Sequence, residues 1–267
     1  MTLRNYLEKA KKEKWAIGQF NFSALEQLRG ILGAAQKLRS PVILGTSGGE
    51  LGYLGLEEVI ALFEIAKAKY RVNAFLNLDH GKNLDLIKRA VDYGFSAVHF
   101  DGSGLPLEKN IKYAKKVIEC AYKKGVLVEG ELEDIKKDNL TSLNKAEKFI
   151  KETKIDSLAI AIGNRHGFYK NVKLNFNRLK EIKEKTKVFL VLHGGSGIPD
   201  HQIKKAIKLG IVKININTEL RIVWKKSLAA AFRTRESKPY KILAVVQNEV
   251  QKKVEEKIKL FGSRNKI

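Results

Sequence analysis

The chain has 267 residues, 44% of them apolar, and no apolar run near the roughly 20 residues of a membrane-spanning helix, so a membrane span is excluded and one large domain is expected. Its 51 Lys and Arg against 29 Asp and Glu give a formal charge of +22. The cations are scattered through helical stretches, as at Lys112, Lys115 and Lys116, which reads as solvated outer helix faces and not as a nucleic-acid-binding tail. The same field would draw in phosphorylated substrates. The first eight residues lack the charged start and apolar core of a signal peptide, and the single Cys120 excludes an intrachain disulfide framework, so a cytoplasmic location is expected.

Taken in chain order, β-rich runs fall at 16–21, 41–46, 74–78, 97–101, 126–132, 157–162, 188–192 and 212–217, each followed by an amphipathic stretch long enough for a helix. Eight such units predict an α/β fold: a TIM (β/α)8 barrel, single domain over 1–267. The runs Pro41-Val42-Ile43-Leu44 and Val188-Phe189-Leu190-Val191-Leu192 are apolar on both alternating faces, as strands between a barrel interior and a helical coat must be. Helices near 219–234 and 243–260 follow the last strand, broken around Ser237-Lys238-Pro239; the second is an extra C-terminal helix.

Catalytic groups of such barrels gather at the C-terminal ends of the strands. That face holds Asp79-His80-Gly81, Asp101, Glu129, Glu131, Glu133, His166-Gly167, His193-Gly194-Gly195-Ser196-Gly197, Asn215, Asn217 and Thr218. Three of the five histidines, His80, His166 and His193, sit at strand ends, and three imidazoles with one open position describe a catalytic zinc site. His99, inside the fourth strand, is expected to pack, and His201, at a helix start, to face solvent. The Gly194–Gly197 turn between a strand and a helix can cradle a phosphate, or simply end a strand. Asp79 could exchange a proton with a substrate hydroxyl, while Asp101 and Glu131 could stand beside the metal or orient its ligands. Asn215 and Asn217 share one side of the eighth strand and could bond substrate or backbone.

At these residues the sequence resembles the class II, zinc-dependent fructose-bisphosphate and tagatose-bisphosphate aldolases. The resemblance is carried by Leu78-Asp79-His80-Gly81, Asp101-Gly102-Ser103-Gly104, Val128-Glu129-Gly130-Glu131, Gly163-Asn164-Arg165-His166-Gly167 and Leu192-His193-Gly194-Gly195-Ser196-Gly197, in the family's order. It implies Zn2+ on His80, His166 and His193, with Glu131 as an alternative ligand and Asp101 nearby. Asp79 would carry the proton and Asn215 would steady the enediolate. Gly167, Lys170, Gly194, Ser196 and Thr218 would hold the phosphate of the dihydroxyacetone-phosphate half, with Asn21, Ser47 and Asn217 on the substrate side. Arg221 resembles an arginine that reaches a neighbouring subunit's substrate, implying a homodimer or homotetramer. A monovalent-cation requirement stays open.

The implied reaction is reversible cleavage of fructose 1,6-bisphosphate to dihydroxyacetone phosphate and glyceraldehyde 3-phosphate, with tagatose 1,6-bisphosphate, its C4 epimer, as the alternative substrate. One departure stands out: the family's Gly-Gly-x-Glu-Asp loop after the fifth strand is shortened here to Glu131-Leu132-Glu133-Asp134-Ile135-Lys136, and Glu133 or Asp134 would have to supply its acid. A reading of another class follows from that loss and the +22 charge: a catalytically impaired barrel that binds phosphosugars or nucleic acid. The three strand-end histidines count against it, and neither a nucleic-acid nor a membrane partner is expected.

Overall fold

The computed structural model describes residues 1–134, 139–169 and 171–267. Its first element, α1 (Leu3–Glu13), begins in a capping box: the Thr2 hydroxyl accepts from the Asn5 N–H, and the Thr2 N–H donates to the Asn5 side chain at 2.8 Å. Leu3, Tyr6, Leu7 and Ala10 fall on one face of that helix and are buried. The alternation then starts with β1 (Ile17–Asn21), α2 (Leu25–Leu38), β2 (Val42–Ser47), α3 (Gly48–Leu54) and α4 (Leu56–Tyr70). It continues through β3 (Ala74–Gly81), α5 (Leu84–Asp92), β4 (Ala97–Asp101), α6 (Leu107–Tyr122), β5 (Leu127–Glu131) and α7 (Leu143–Thr153). The last third comprises β6 (Ser157–Ala159), α8 (Phe176–Lys185), β7 (Phe189–Leu192), α9 (Asp200–Lys208), β8 (Ile211–Ile216), α10 (Thr218–Ala231) and α11 (Pro239–Phe261).

All eight strands pair in parallel in chain order, and β8 closes on β1 through Ile17↔Lys213 to Phe20↔Ile216. The expected barrel is what forms. Helix α1, which the strand–helix alternation did not predict, plugs its N-terminal end: Leu3, Tyr6, Leu7 and Trp15 pack with Ile17, Ile43, Phe75, Ala97, Leu127 and Phe189. Side chains of a strand alternate faces, so the residue four positions beyond each of these strand residues points to the same side. Those residues are Asn21, Ser47, Asp79, Asp101, Glu131 and His193, and every one lines the opposite mouth of the barrel. The inward stripe of each strand thus runs from an apolar plug to a polar rim, with Gln19, Asn77, His99 and Glu129 buried between.

Two strands depart from the expected bounds by more than one residue at an end. β6 stops at Ala159 because the Asn164 side chain takes over the backbone beyond it: Oδ1 accepts from the Ile162 N–H at 2.8 Å, and Nδ2 donates to the Ile160 and His193 carbonyls. β3 runs on to Gly81, but its register against β4 shifts between Leu78 and Gly81. In that bulge His80 adopts φ 51°, a left-handed conformation that costs a residue with a Cβ about 1–3 kcal/mol.

The extra C-terminal helix forms as α11, and Pro239 starts it. Val246, Val250, Val254, Ile258 and Phe261 are buried on one face of it. It approaches α2 so closely that a Cβ on Gly30 would lie 2.9 Å from the Gln247 carbonyl oxygen. Among the described residues, no helix is long and apolar enough to cross a membrane.

Candidate active site

The strand ends enclose a cavity of about 320 Å3 at the C-terminal mouth. Its lining includes Asn21, Ser47, Asp79, His80, Asp101, Glu131, His166, Gly167, His193, Gly194, Ser196, Asn215, Asn217, Thr218 and Arg221, all singled out from the sequence. Lys170 lies outside the described residues. Glu133 is not part of the lining: its Oε1 accepts from the Ser142 N–H at 3.3 Å, which ties it to the start of α7, while Asp134 faces the cavity.

The bulge in β3 sets His80 against the other two imidazoles. Ring centroids lie 4.9 Å apart for His80 and His193, 4.8 Å for His80 and His166, and 6.2 Å for His166 and His193. His80 Nε2 and His193 Nδ1 face one another at 3.2 Å. Two nitrogens bound to one tetrahedral zinc, with bonds of about 2.0–2.1 Å, would stand roughly 3.4 Å apart, so the pair is spaced as ligands need to be. Two sets bring ligand atoms within 4.8 Å of one another, Asp79 with His80, His99 and His193, and His80 with Asp101 and Glu131; His166 lines the same cavity but belongs to neither set. Glu131 is 2% exposed, and its Oε2, 3.7 Å from His80 Nδ1, has no hydrogen-bond partner. This buried oxygen, which also lies 3.2 Å from His99 Nε2, is one that a cation or an imidazole N–H would complete.

Outer groups fix which nitrogen His80 and His193 present. His193 Nε2 lies 2.5 Å from Glu129 Oε1, and Lys213 Nζ donates to Glu129 Oε2 at 2.7 Å, a fully buried ion pair across the barrel interior. The carboxylate holds the proton on Nε2 and leaves the Nδ1 lone pair facing the cavity. Burial, outweighing Glu129, lowers His193 to about 3, so it is neutral and able to ligate. His80 behaves oppositely. Burial disfavours its charge, but Asp79, the hydrogen bond from Nδ1 to Asp101 at 3.1 Å, and Glu131 raise it to about 9.

Asp79 is 6% exposed, and both its oxygens are held: Asn21 Nδ2 donates to Oδ2 at 3.0 Å and Asn215 Nδ2 to Oδ1 at 3.1 Å. Behind Asn21 stand Gln19 and Asn77 in one buried amide chain. Burial works against its charge, yet the His80 imidazole first, with the other histidines of the cluster and Lys213 behind it, holds the Asp79 carboxyl well below the usual carboxylate range. The Asn215 Oδ1 is buried without a partner, an acceptor open to a donor in the cavity.

The opposite wall carries the glycine turn. Gly194 takes φ 61°, and a Cβ there would lie 2.3 Å from the Arg165 carbonyl oxygen, so only glycine fits. Ser196 Oγ accepts from the Glu219 N–H at 3.2 Å, which brings the glycine turn onto the first turn of α10. The side chain of Asn217, before that helix, donates to Glu50 instead of capping it. Lys257 of α11 braces the turn from behind: it donates to Glu219 Oε1 at 2.8 Å, which also accepts from the Gly197 N–H at 2.8 Å.

Sequence reasoning passed over His99, Lys213 and Lys82. His99 is buried as expected, but its ring lies 4.7 Å from those of both His80 and His193. The two-residue alternation Ala97, His99, Asp101 and Lys213, Asn215, Asn217 was the available signal for the first two. Lys82 follows the bulge and pairs with Asp101 at 3.4 Å. His201 is exposed, as expected.

Comparison with known proteins places the fold in a family. Among characterised relatives, the 6-phospho-5-dehydro-2-deoxy-D-gluconate aldolase of Shouchella clausii (strain KSM-K16) is 41% identical, with 97% of this chain and 94% of that one covered. The fructose-bisphosphate aldolase of Geobacillus stearothermophilus is 36% identical, with 100% and 98% covered. Among solved structures, the YdjI aldolase from Escherichia coli K12 superposes with a TM-score of 0.91 at 34% identity, over 100% of this chain and 99% of that one. The family model described as fructose-bisphosphate aldolase class-II matches residues 1–266, the whole barrel with its plug and its last helix, and the chain belongs to that family of aldolases.

Proposed function

We propose that this chain catalyses the reversible, metal-dependent aldol cleavage of a phosphorylated ketose, releasing dihydroxyacetone phosphate, with fructose 1,6-bisphosphate as its substrate. The observation that carries the reading is one cavity that joins the amide-held Asp79, the His80–His193 pair and a glycine turn on a helix start. Zinc, held by His80, His166 and His193 with Glu131 and Asp101 beside it, would serve as the Lewis acid that draws off the charge left when the C3–C4 bond breaks. Asp79, ionised and aimed by Asn21 and Asn215, takes the proton of the C4 hydroxyl in cleavage and returns it in condensation. Asn215 touches the same region and bonds the reacting oxygens. Gly167, Gly194, Ser196 and Thr218 hold the phosphate of the retained half with backbone N–H groups and hydroxyls. Asp134, at the cavity wall, is placed better than Glu133 to move the proton on the carbanion carbon.

The far end of the substrate decides its identity. Lys82 and Arg221 line the same cavity, and two cations suit the second phosphate of a bisphosphate. A second reading is favoured by the 41% identity to an aldolase named for 6-phospho-5-dehydro-2-deoxy-D-gluconate, against 36% to one named for fructose bisphosphate. Retro-aldol cleavage of that compound releases the same dihydroxyacetone phosphate and a three-carbon aldehyde ending in a carboxylate. A coupled assay of dihydroxyacetone phosphate release with fructose 1,6-bisphosphate, its tagatose epimer and the deoxygluconate phosphate tests the assignment. We expect kcat/KM for the fructose compound to exceed the others by about tenfold or more, the discrimination of one well-placed contact. The reverse order transfers the assignment to the preferred compound.

A further inference from the structure

We infer that His99 is a positioning residue of the metal centre and not one of its ligands, although its ring nitrogens lie within the His80–His193 cluster. The inference rests on the metal reading of that cluster and concerns what shapes it.

The β3 bulge takes the His80 N–H out of the strand ladder, and a buried N–H without an acceptor would be costly. His99 supplies the acceptor: the His80 N–H donates to His99 Nδ1 at 3.1 Å. A backbone N–H can only donate, so Nδ1 must carry its lone pair, and the ring proton of neutral His99 is on Nε2. The other candidate for Nδ1, Asp79 Oδ1, is 4.0 Å away, beyond hydrogen-bond reach.

Each end of the ring therefore has a fixed chemical role. Nδ1 pins the backbone of His80 in its left-handed conformation, φ 51°, and that conformation turns the His80 imidazole toward His193. Nε2–H faces Glu131 Oε2 at 3.2 Å, the carboxylate oxygen that lacks a hydrogen-bond partner. The two are close but not aligned as a hydrogen bond, so the contact orients Glu131 by proximity of the N–H to the carboxyl oxygen. A nitrogen that bears a proton has no lone pair to give a metal. With Nδ1 spent on backbone and Nε2 protonated toward Glu131, His99 has no free ligand atom. What it does is set the position of two groups beside the metal, the His80 ring and the Glu131 carboxylate.

The test uses 15N-histidine-labelled whole protein, whose five histidines give a simple spectrum. In protein stripped of metal, His99 should show a protonated Nε2 and an unprotonated Nδ1. On titration with zinc, the His80 and His193 nitrogens should shift while the His99 Nε2 proton stays. Loss of that proton on zinc binding, or a protonated Nδ1 before it, overturns the inference while leaving the metal reading intact. A protein that takes up no zinc overturns both. Two variants then separate positioning from mere packing. His99→Leu removes acceptor and donor and should weaken zinc binding by about 10–100-fold in a chelator competition, the usual effect of losing an outer partner. His99→Gln offers a carbonyl oxygen and an N–H at similar separation and should recover most of that loss. Equal zinc affinity for Leu and wild type, or no recovery with Gln, contradicts the role.

Discussion

A proton and a metal ion compete for His80. Because Asp79, Asp101 and Glu131 raise it to about 9 against the effect of burial, His80 keeps its proton through the neutral range, and zinc must displace it. Zinc affinity should therefore climb with pH by up to about tenfold per unit and level off above about pH 9, which a chelator competition across that range would show; a flat profile would contradict it. The sign for stability is opposite. With its folded value above the ordinary 6.5, protonated His80 stabilises the metal-free fold fully below about pH 6.5, and that contribution is lost as pH rises through about 9. Asp79→Asn should lower kcat by about 10²–10⁴-fold. It should also tighten zinc at pH 7, since the charge that favours the His80 proton is gone. Of the two acids after β5, Asp134→Ala should slow proton exchange into dihydroxyacetone phosphate by about 10²-fold, whereas Glu133→Ala should act mainly on stability through its bond to Ser142. At this scale the strand-end residues were legible because each follows an apolar run and so falls at the C-terminal end of a strand. His99 and Lys213 were not, since two or three residues below a strand end a polar side chain can either pack or serve the site, and only the tertiary partners decide.

Among the elements, the barrel strands were readable from their apolar runs, and their bounds fell within a few residues except where side chains intervene. Asn164 ended β6 early by bonding three backbone groups. The bulge extended β3 to Gly81, which no local pattern announces. Helix α1 went unpredicted because its role, capping the barrel end, is set by the other strands' first residues and not by its own repeat. Helix α11 reaches the site through Lys257, which holds Glu219 and so the glycine turn. Lys257→Met leaves a buried carboxylate without its partner and should cost about 3–5 kcal/mol in denaturant unfolding. In the folded fraction KM should rise with little change in zinc affinity, because the contact touches the anion wall and not the histidines. A variant that lost zinc instead would show that the two walls are not separate.

Over the whole molecule, the charge of +22 is spread across helix faces where many lysines already pair with carboxylates, such as Lys115 with Glu152 and Lys148 with Glu108. Exposed pairs of this kind contribute little to stability, about 0–1 kcal/mol each, and are screened by salt. Any RNA binding should accordingly fade between low and physiological salt, and tight binding that persists would revive the reading of the barrel as a nucleic-acid protein. We further propose that the chain works as a homodimer or homotetramer; sedimentation at micromolar concentration checks this, and a monomer at full activity would contradict it. The central claim is that cleavage runs through a metal held by the strand-end histidines. It is tested most directly by measuring bound zinc and dihydroxyacetone phosphate release on the same purified protein before chelation, after chelation and after zinc is returned. The account predicts about one zinc per chain, loss of cleavage by about 100-fold or more on its removal and recovery when it is restored. Undiminished cleavage by protein shown to hold no metal would contradict it.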